Sequence, residues 1–205
     1  MPLPRLIAYD IGQPHIFGTT VQEGSSVLVT AGGTDIWGTQ DECHFAHLAV
    51  TGDFDMSVRV AGLEMADTYT KAGLMLRASL DEDAAHAMLL TFGDNQPRNK
   101  NNGALEFQSR LVTGGECAGI YPPQPLTAQP QFPASFPQHW LRLMRQNEVL
   151  TGQFSTDGQA WRTFCTQTQA FPDSALLGLA VTSHNTAHAV RASFHDLTLN
   201  QRSNP

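Results

Sequence analysis

The sequence is short of charge. Its 205 residues hold 12 Lys and Arg against 19 Asp and Glu, 15% charged in all, where soluble domains average about 25%. The formal charge is −7, and the chain has no block of basic residues, which argues against a dedicated nucleic-acid binder. No apolar run approaches the roughly 18 residues of a membrane span. Amphipathic helical periodicity is scarce. Cys43, Cys117 and Cys165 are odd in number and widely separated. That rules out a disulfide framework and the close spacing of a zinc site. They read as free thiols, in keeping with a reducing compartment. A nucleophilic role would need a base and an oxyanion site that the sequence does not place. The first residues, Met1-Pro2-Leu3-Pro4-Arg5-Leu6, lack the basic segment and apolar stretch of a signal peptide. The expectation is a cytoplasmic chain, or one whose leader has been removed.

What is present is strand-like. The chain is 41% apolar, which argues against disorder, and its length suffices for one sizeable core. Short alternating runs sit between Gly, Asn, Asp and Pro clusters. Residues 53–60 place Phe54, Met56, Val58 and Val60 on one face and Asp53, Asp55, Ser57 and Arg59 on the other. Residues 71–78 set Ala72, Leu74 and Leu76 against Lys71, Gly73, Met75 and Arg77. Further strands are expected at 27–29, 85–92, 104–111, 140–145, 149–155, 161–164, 176–183 and 190–199, about eleven in all at the spacing of a β-sandwich. Asp157-Gly158 supplies a hairpin turn. Residues 114–138, with six of the twelve prolines, read as a long Pro/Gly/Gln-rich loop inside a single domain spanning 1–205. Loops of that length are often binding loops.

Several strings go beyond pattern: Asp35-Ile36-Trp37-Gly38-Thr39, Lys71-Ala72-Gly73-Leu74-Met75-Leu76-Arg77, Trp140-Leu141-Arg142-Leu143, Ser155-Thr156-Asp157-Gly158, and Gly178-Leu179-Ala180-Val181-Thr182-Ser183-His184. In this order the chain resembles the regulation-of-enolase-protein family, over about residues 10–199. The resemblance implies an all-β fold, a concanavalin A-like jelly-roll sandwich of two antiparallel sheets, more than it implies a function. The broader superfamily contains lectins, carbohydrate-binding modules and glucanases. Cys43 and His47 stand where aromatic residues are more usual.

One candidate site follows from strand parity. Glu106, Gln108 and Arg110 share a face, Arg77 shares the polar side of its own strand, and His44 and His86 join them if their strands are neighbours. Such groups can hydrogen-bond sugar hydroxyls, with Trp37 as a platform for a sugar ring. The competing reading is a solvated sheet face with internal ion pairs. A second candidate is the loop carrying Asp35 and Asp41, beside Trp37 and His44, which could ligate Ca²⁺ together with backbone carbonyls. Its competitor is that both aspartates cap turns and Trp37 packs away. Ser155-Thr156-Asp157-Gly158 reads as a turn motif, and Ser183 and His184 face opposite sides of a strand, so they make no nucleophile–base pair. No other metal site and no catalytic residue is assigned.

The favoured reading is a lectin-like, non-catalytic domain that binds an oligosaccharide or related polyol, for which an acidic chain suits a neutral ligand. One alternative is a cytoplasmic regulatory or protein-interaction domain with a protein partner, touching glycolytic enzymes as the family name implies. Another is a divergent glycoside hydrolase. The string Glu-x-Asp-x-x-Glu, expected of an endo-glucanase on this fold, is absent. Glu106 is one acid where glycoside hydrolysis generally needs two.

Overall fold

The computed structural model describes residues 5–202; Met1–Pro4, the start of the segment tested for a leader, lie outside them. The strands run β1 (Ile7–Ile11), β2 (Thr19–Glu23), β3 (Ser26–Ala31), β4 (Ile36–Trp37), β5 (Gln40–Asp41) and β6 (Cys43–Thr51). Next come β7 (Asp53–Leu63), β8 (Lys71–Arg77), β9 (His86–Phe92), β10 (Leu105–Arg110) and β11 (Cys117–Ile120). The last are β12 (His139–Gln146), β13 (Val149–Ser155), β14 (Arg162–Thr168), β15 (Ser174–Thr182) and β16 (Val190–Arg202).

They form two seven-stranded sheets. The front sheet has the order β1-β6-β15-β8-β9-β10-β11, and the back sheet β14-β13-β12-β7-β16-β3-β2. Every pairing in both is antiparallel. The fold is therefore the all-β sandwich that the alternation predicts. β7 shows why: Phe54, Met56, Val58 and Val60 point into the core while the residues between them are half-exposed. Ala72, Leu74 and Leu76 of β8, Ala87 and Leu89 of β9, and Leu105 and Phe107 of β10 meet them from the front sheet. Burial of the Val, Leu, Met and Phe side chains among them stabilises the fold by about 1.5–3 kcal/mol each.

The structure adds strands that alternation does not reveal. β6 (CHFAHLAVT) is apolar on both faces over much of its length, so it carries no period-two signal. β11 falls inside the stretch read as loop, leaving 121–138 as the irregular segment. That segment is tied down. Asn102 Nδ2 donates to Pro125 O and Ala128 O, both at 2.8 Å, and Phe132 packs edge-on against Phe154 and Phe164 in the core.

The front sheet is buried on its outer face as well. β4 and β5 form a short ribbon joined by Gly38-Thr39, with Gly38 at φ 59°, where a residue without a Cβ is unstrained. Beneath it lies a second apolar cluster: Ile11, Ile36, Cys43, Phe45, Met75, Met88, Leu90, Phe92 and Ala180. The outer face is thus a second core that opens to solvent at one end, over β8, β9 and β10.

Candidate functional site

Register dictates what lies under the ribbon. Arg77 pairs with His86 and His86 with Arg110, which puts three polar side chains in one row across β8, β9 and β10. All three are fully buried. Asp41 of the ribbon drops onto this row. Its Oδ2 accepts from Arg77 and, at 2.8 Å, from Arg110 Nη1, and its Oδ1 accepts from Arg110 Nη2 at 2.7 Å. His86 Nδ1 lies 3.4 Å away. Arg110 also donates to Gly38 O at 3.0 Å and to Gly115 O at 3.0 Å. A buried guanidinium with five donors therefore pins the ribbon to the sheet. Burial would raise the Asp41 carboxyl, but the charge and hydrogen bonds of the Arg110 and Arg77 guanidiniums outweigh it and hold the carboxyl below its usual range. Burial lowers His86 to about 3, so its ring is neutral at pH 7.

At the open end is a groove of about 210 Å³ lined by Asp35, Trp37, Tyr69, Lys71, Phe92, Arg98, Asn99, Lys100, Glu106, Gln108 and Tyr121. Its floor comes from β10. Glu106 is nearly buried, with Oε1 accepting from Gln108 Nε2 at 2.7 Å and Oε2 from Asn101 Nδ2 at 3.1 Å. Gln108 Oε1 and Asn101 Oδ1 are buried acceptors with no donor among the described residues. One wall is the ribbon end, where Trp37 is 36% exposed; Tyr69, at 37%, lies in the turn after β7. The Arg98 guanidinium stacks 4.2 Å from the Phe92 ring centre.

Asp35 links the ribbon to the sheet. Its Oδ1 accepts from Lys71 Nζ and from the Ile36 amide, each at 2.7 Å, and its Oδ2 is 3.3 Å from His184 Nε2. His184 Nδ1 is 3.2 Å from Asp67 Oδ1, and its ring leans on Tyr69 at 5.4 Å. Burial would raise the Asp35 carboxyl, yet the His184 hydrogen bond and the Lys71 ammonium bring it down to about 2. The hydrogen bond to Asp35 raises His184 in turn. Burial pushes Glu106 up, against hydrogen bonds from Gln108 and Asn101 and the Lys71 charge. The groove thus sets one carboxyl well below its ordinary range and another above it.

Of the seven residues expected to contact a ligand, Trp37, Glu106 and Gln108 line the groove. Arg77, His86 and Arg110 lie on the same sheet face but are sealed beneath the ribbon, so they position the wall and touch nothing in solvent. His44 is on the opposite face. It sits between the sheets, with Nδ1 2.8 Å from Asp10 Oδ1 and Nε2 2.8 Å from Thr20 Oγ1. The carboxylates weighed as calcium ligands diverge, Asp41 to two arginines and Asp35 to Lys71 and His184. Among the described residues no group of three or more His, Cys, Asp or Glu could hold a metal ion. Strand parity puts Lys71 on this face but gives it no role. Tyr69, Arg98, Asn99, Lys100 and Tyr121 lie outside the expected strands, where parity does not reach. Cys117 Sγ is 3.9 Å from His86 Nε2, but burial pushes its thiol up to about 12, the reverse of an activated nucleophile. The turn reading of Asp157 fits: its Oδ1 accepts from the Gln159 and Ala160 amides at 2.7 and 2.8 Å.

A depression of about 200 Å³ at Asp53, Asp55 and Arg145 has Phe54 as its one aromatic lining residue, and that ring is buried. The front-sheet groove brings exposed rings and unsatisfied buried acceptors together in one concave site.

Comparison with known proteins agrees on the fold. Residues 36–201 match the family model described as "Protein of unknown function (DUF1583) C domain"; this match does not confirm the resemblance to the regulation-of-enolase family. No curated protein sequence matches the chain. Among solved structures, a functionally unknown protein from Saccharomyces cerevisiae aligns with TM-score 0.69 and 17% identity over 98% of both chains. The carbohydrate-binding module CBM66 from Bacillus subtilis aligns at 0.56 and 11% over 95% of both. The VIP36 exoplasmic/lumenal domain, in a form bound to Ca²⁺ and Man3GlcNAc, aligns at 0.54 and 11% over 98% of this chain and 86% of that one. At these identities the likeness is one of fold, a lectin-like sandwich.

Proposed function

The chain belongs to the DUF1583 C-domain family, and from that footing we propose that it is a non-catalytic, lectin-like domain that binds an oligosaccharide or related polyol in the front-sheet groove. The observation that carries this reading is the pairing of half-exposed Trp37 and Tyr69 with the buried, undonated oxygen of Gln108. A sugar has both complements. Its C–H faces pack on aromatic rings, and its hydroxyls donate to acceptors whose burial without a partner costs about 1–3 kcal/mol. Concave sites with a few convergent polar groups among aromatic rings are the usual form of small-ligand pockets.

The two groove carboxyls support binding over hydrolysis. Glycosidases keep one acid able to protonate a leaving group and a second free to attack or to activate water. Here both oxygens of Glu106 accept from amides, and both oxygens of Asp35 are engaged by Lys71, the Ile36 amide and His184. One feature favours the hydrolase reading, the opposed displacement of the two carboxyls from their ordinary pKa values.

A glycan array followed by calorimetry tests the proposal. Binding to at least one oligosaccharide is expected, with a negative heat-capacity change and about tenfold weakening in Trp37→Ala, some 1.4 kcal/mol. An array without ligands, or a Trp37→Ala protein that binds undiminished, would sink the proposal. Release of reducing ends from the bound saccharide, abolished by Glu106→Gln, would instead establish the hydrolase.

A further inference from the structure

The chain has two lysines in 205 residues, Lys71 and Lys100, and both line this one groove. Arg98 joins them, so a quarter of the twelve Lys and Arg residues of a −7 chain face one small cavity. Two of the three have work inside the protein. The Lys71 ammonium is bound by Asp35 Oδ1 at 2.7 Å. Arg98 is bound by Asp94 and by the carbonyls of Thr68 at 2.6 Å and Gln96 at 2.7 Å. Lys100 is exposed, and among the described residues it makes no ion pair or side-chain hydrogen bond.

Its backbone is nevertheless fixed. Arg98 and Asn101 are paired across a tight turn, with Asn99 in the left-handed region at φ 33° and Lys100 beside it at the tip. Both flanks of the turn are buried. The Arg98 side is held by stacking on Phe92, and the Asn101 side by its bonds to Leu105 O at 2.9 Å and Glu106 Oε2. The same asparagine that orients the groove acid therefore holds the lysine at the groove mouth. A cation whose backbone is anchored but whose charge is unmatched is what an anionic ligand group needs. It loses little backbone freedom on binding, and no protein carboxylate has to be displaced.

We propose that the saccharide taken by this groove carries an anionic group, a ring carboxylate or a sulfate ester, bound by the Lys100 ammonium while Gln108 reads neighbouring hydroxyls. This inference rests on the saccharide reading of the groove. It revises the expectation that an acidic chain suits a neutral ligand, because the groove sets three cations, Lys71, Arg98 and Lys100, against two carboxylates, Asp35 and Glu106, in a chain where acids outnumber bases.

Matched pairs that differ only in charge provide the test: oligogalacturonate against its methyl ester, and sulfated against plain dextran oligosaccharides. Calorimetry on the full chain at low and high salt is paired with Lys100→Gln and Lys100→Arg. The expected result is that one anionic member binds roughly five- to tenfold tighter than its neutral partner. That preference fades with added salt, disappears in Lys100→Gln and persists in Lys100→Arg. Whether the uronate or the sulfate pair shows it identifies the anion. Equal or better binding of the neutral members, or a preference that survives Lys100→Gln, overturns the inference and leaves the saccharide reading standing. No binding to these pairs, together with an empty glycan array, removes both.

Discussion

Asp41→Ala is expected to destabilise the protein by about 3–5 kcal/mol, the range for removing one partner from a buried ion cluster. The loss is a large share of the 5–15 kcal/mol typical of a domain. Arg77 and Arg110 are fully buried and share this one carboxylate, while His86 beside it is neutral. Without Asp41 the two guanidiniums are left with backbone carbonyls, the neutral His86 ring and the Met75 sulfur, and no counter-charge among these partners. Urea denaturation measures the effect, and a change under 1 kcal/mol would show that the cluster does not hold the ribbon. The same variant should lose ligand binding, because the ribbon carries Trp37.

Acid should act on the interior in a related way. Burial lowers both His86 and His139 to about 3. Between pH 6.5 and 3 the unfolded chain binds protons at these two positions that the folded chain refuses. The sign is therefore fixed: stability is full above the unfolded value of about 6.5 and is lost as the pH falls toward 3. Denaturation midpoints that fall steadily from pH 7 to pH 4 are expected. A flat profile over that window would mean that these rings are protonated in the folded protein.

The second large effect is on binding. Glu106→Ala should weaken the saccharide complex by about 10- to 100-fold, the 1.5–3 kcal/mol of a hydrogen-bonded charged group. Glu106 fixes the amides of Gln108 and Asn101, so its loss releases the acceptor that a sugar hydroxyl would meet. Arg142→Ala is the matched control. Its guanidinium pairs with Asp55 on the back sheet, away from the groove, and affinity should not change. Equal weakening in both variants would move the site elsewhere.

The residues of the groove show how far a sequence alone can reach. Alternation locates β7, β8, β9 and β10 and assigns Glu106, Gln108, Arg77, His86 and Arg110 to the correct side of their sheet. It gives a side but not a depth. Whether that side meets water depends on a ribbon of two two-residue strands, which is too short for any period to show. His44 was misplaced because β6 is apolar on both faces; the outer position belongs to its neighbour Phe45. Asp35 and Asp41 stand six apart as a pair of acids, but the cations that bind them, Lys71, Arg77 and Arg110, come from strands 30 or more residues away. Tyr69, Lys100 and Tyr121 lie in turns and loops, where position is set by long-range packing and no local pattern marks it.

The proposed saccharide site lies over Glu106 and Gln108, between Trp37 and Lys100. An ¹⁵N NMR titration with the tightest ligand from the array reads this directly through the side-chain signals of Gln108, Asn101 and Trp37. These signals are expected to shift in proportion to occupancy while the Arg142 guanidinium on the back sheet stays still. Saturation of the protein with those three signals unmoved, and shifts confined to other surfaces, would contradict this placement.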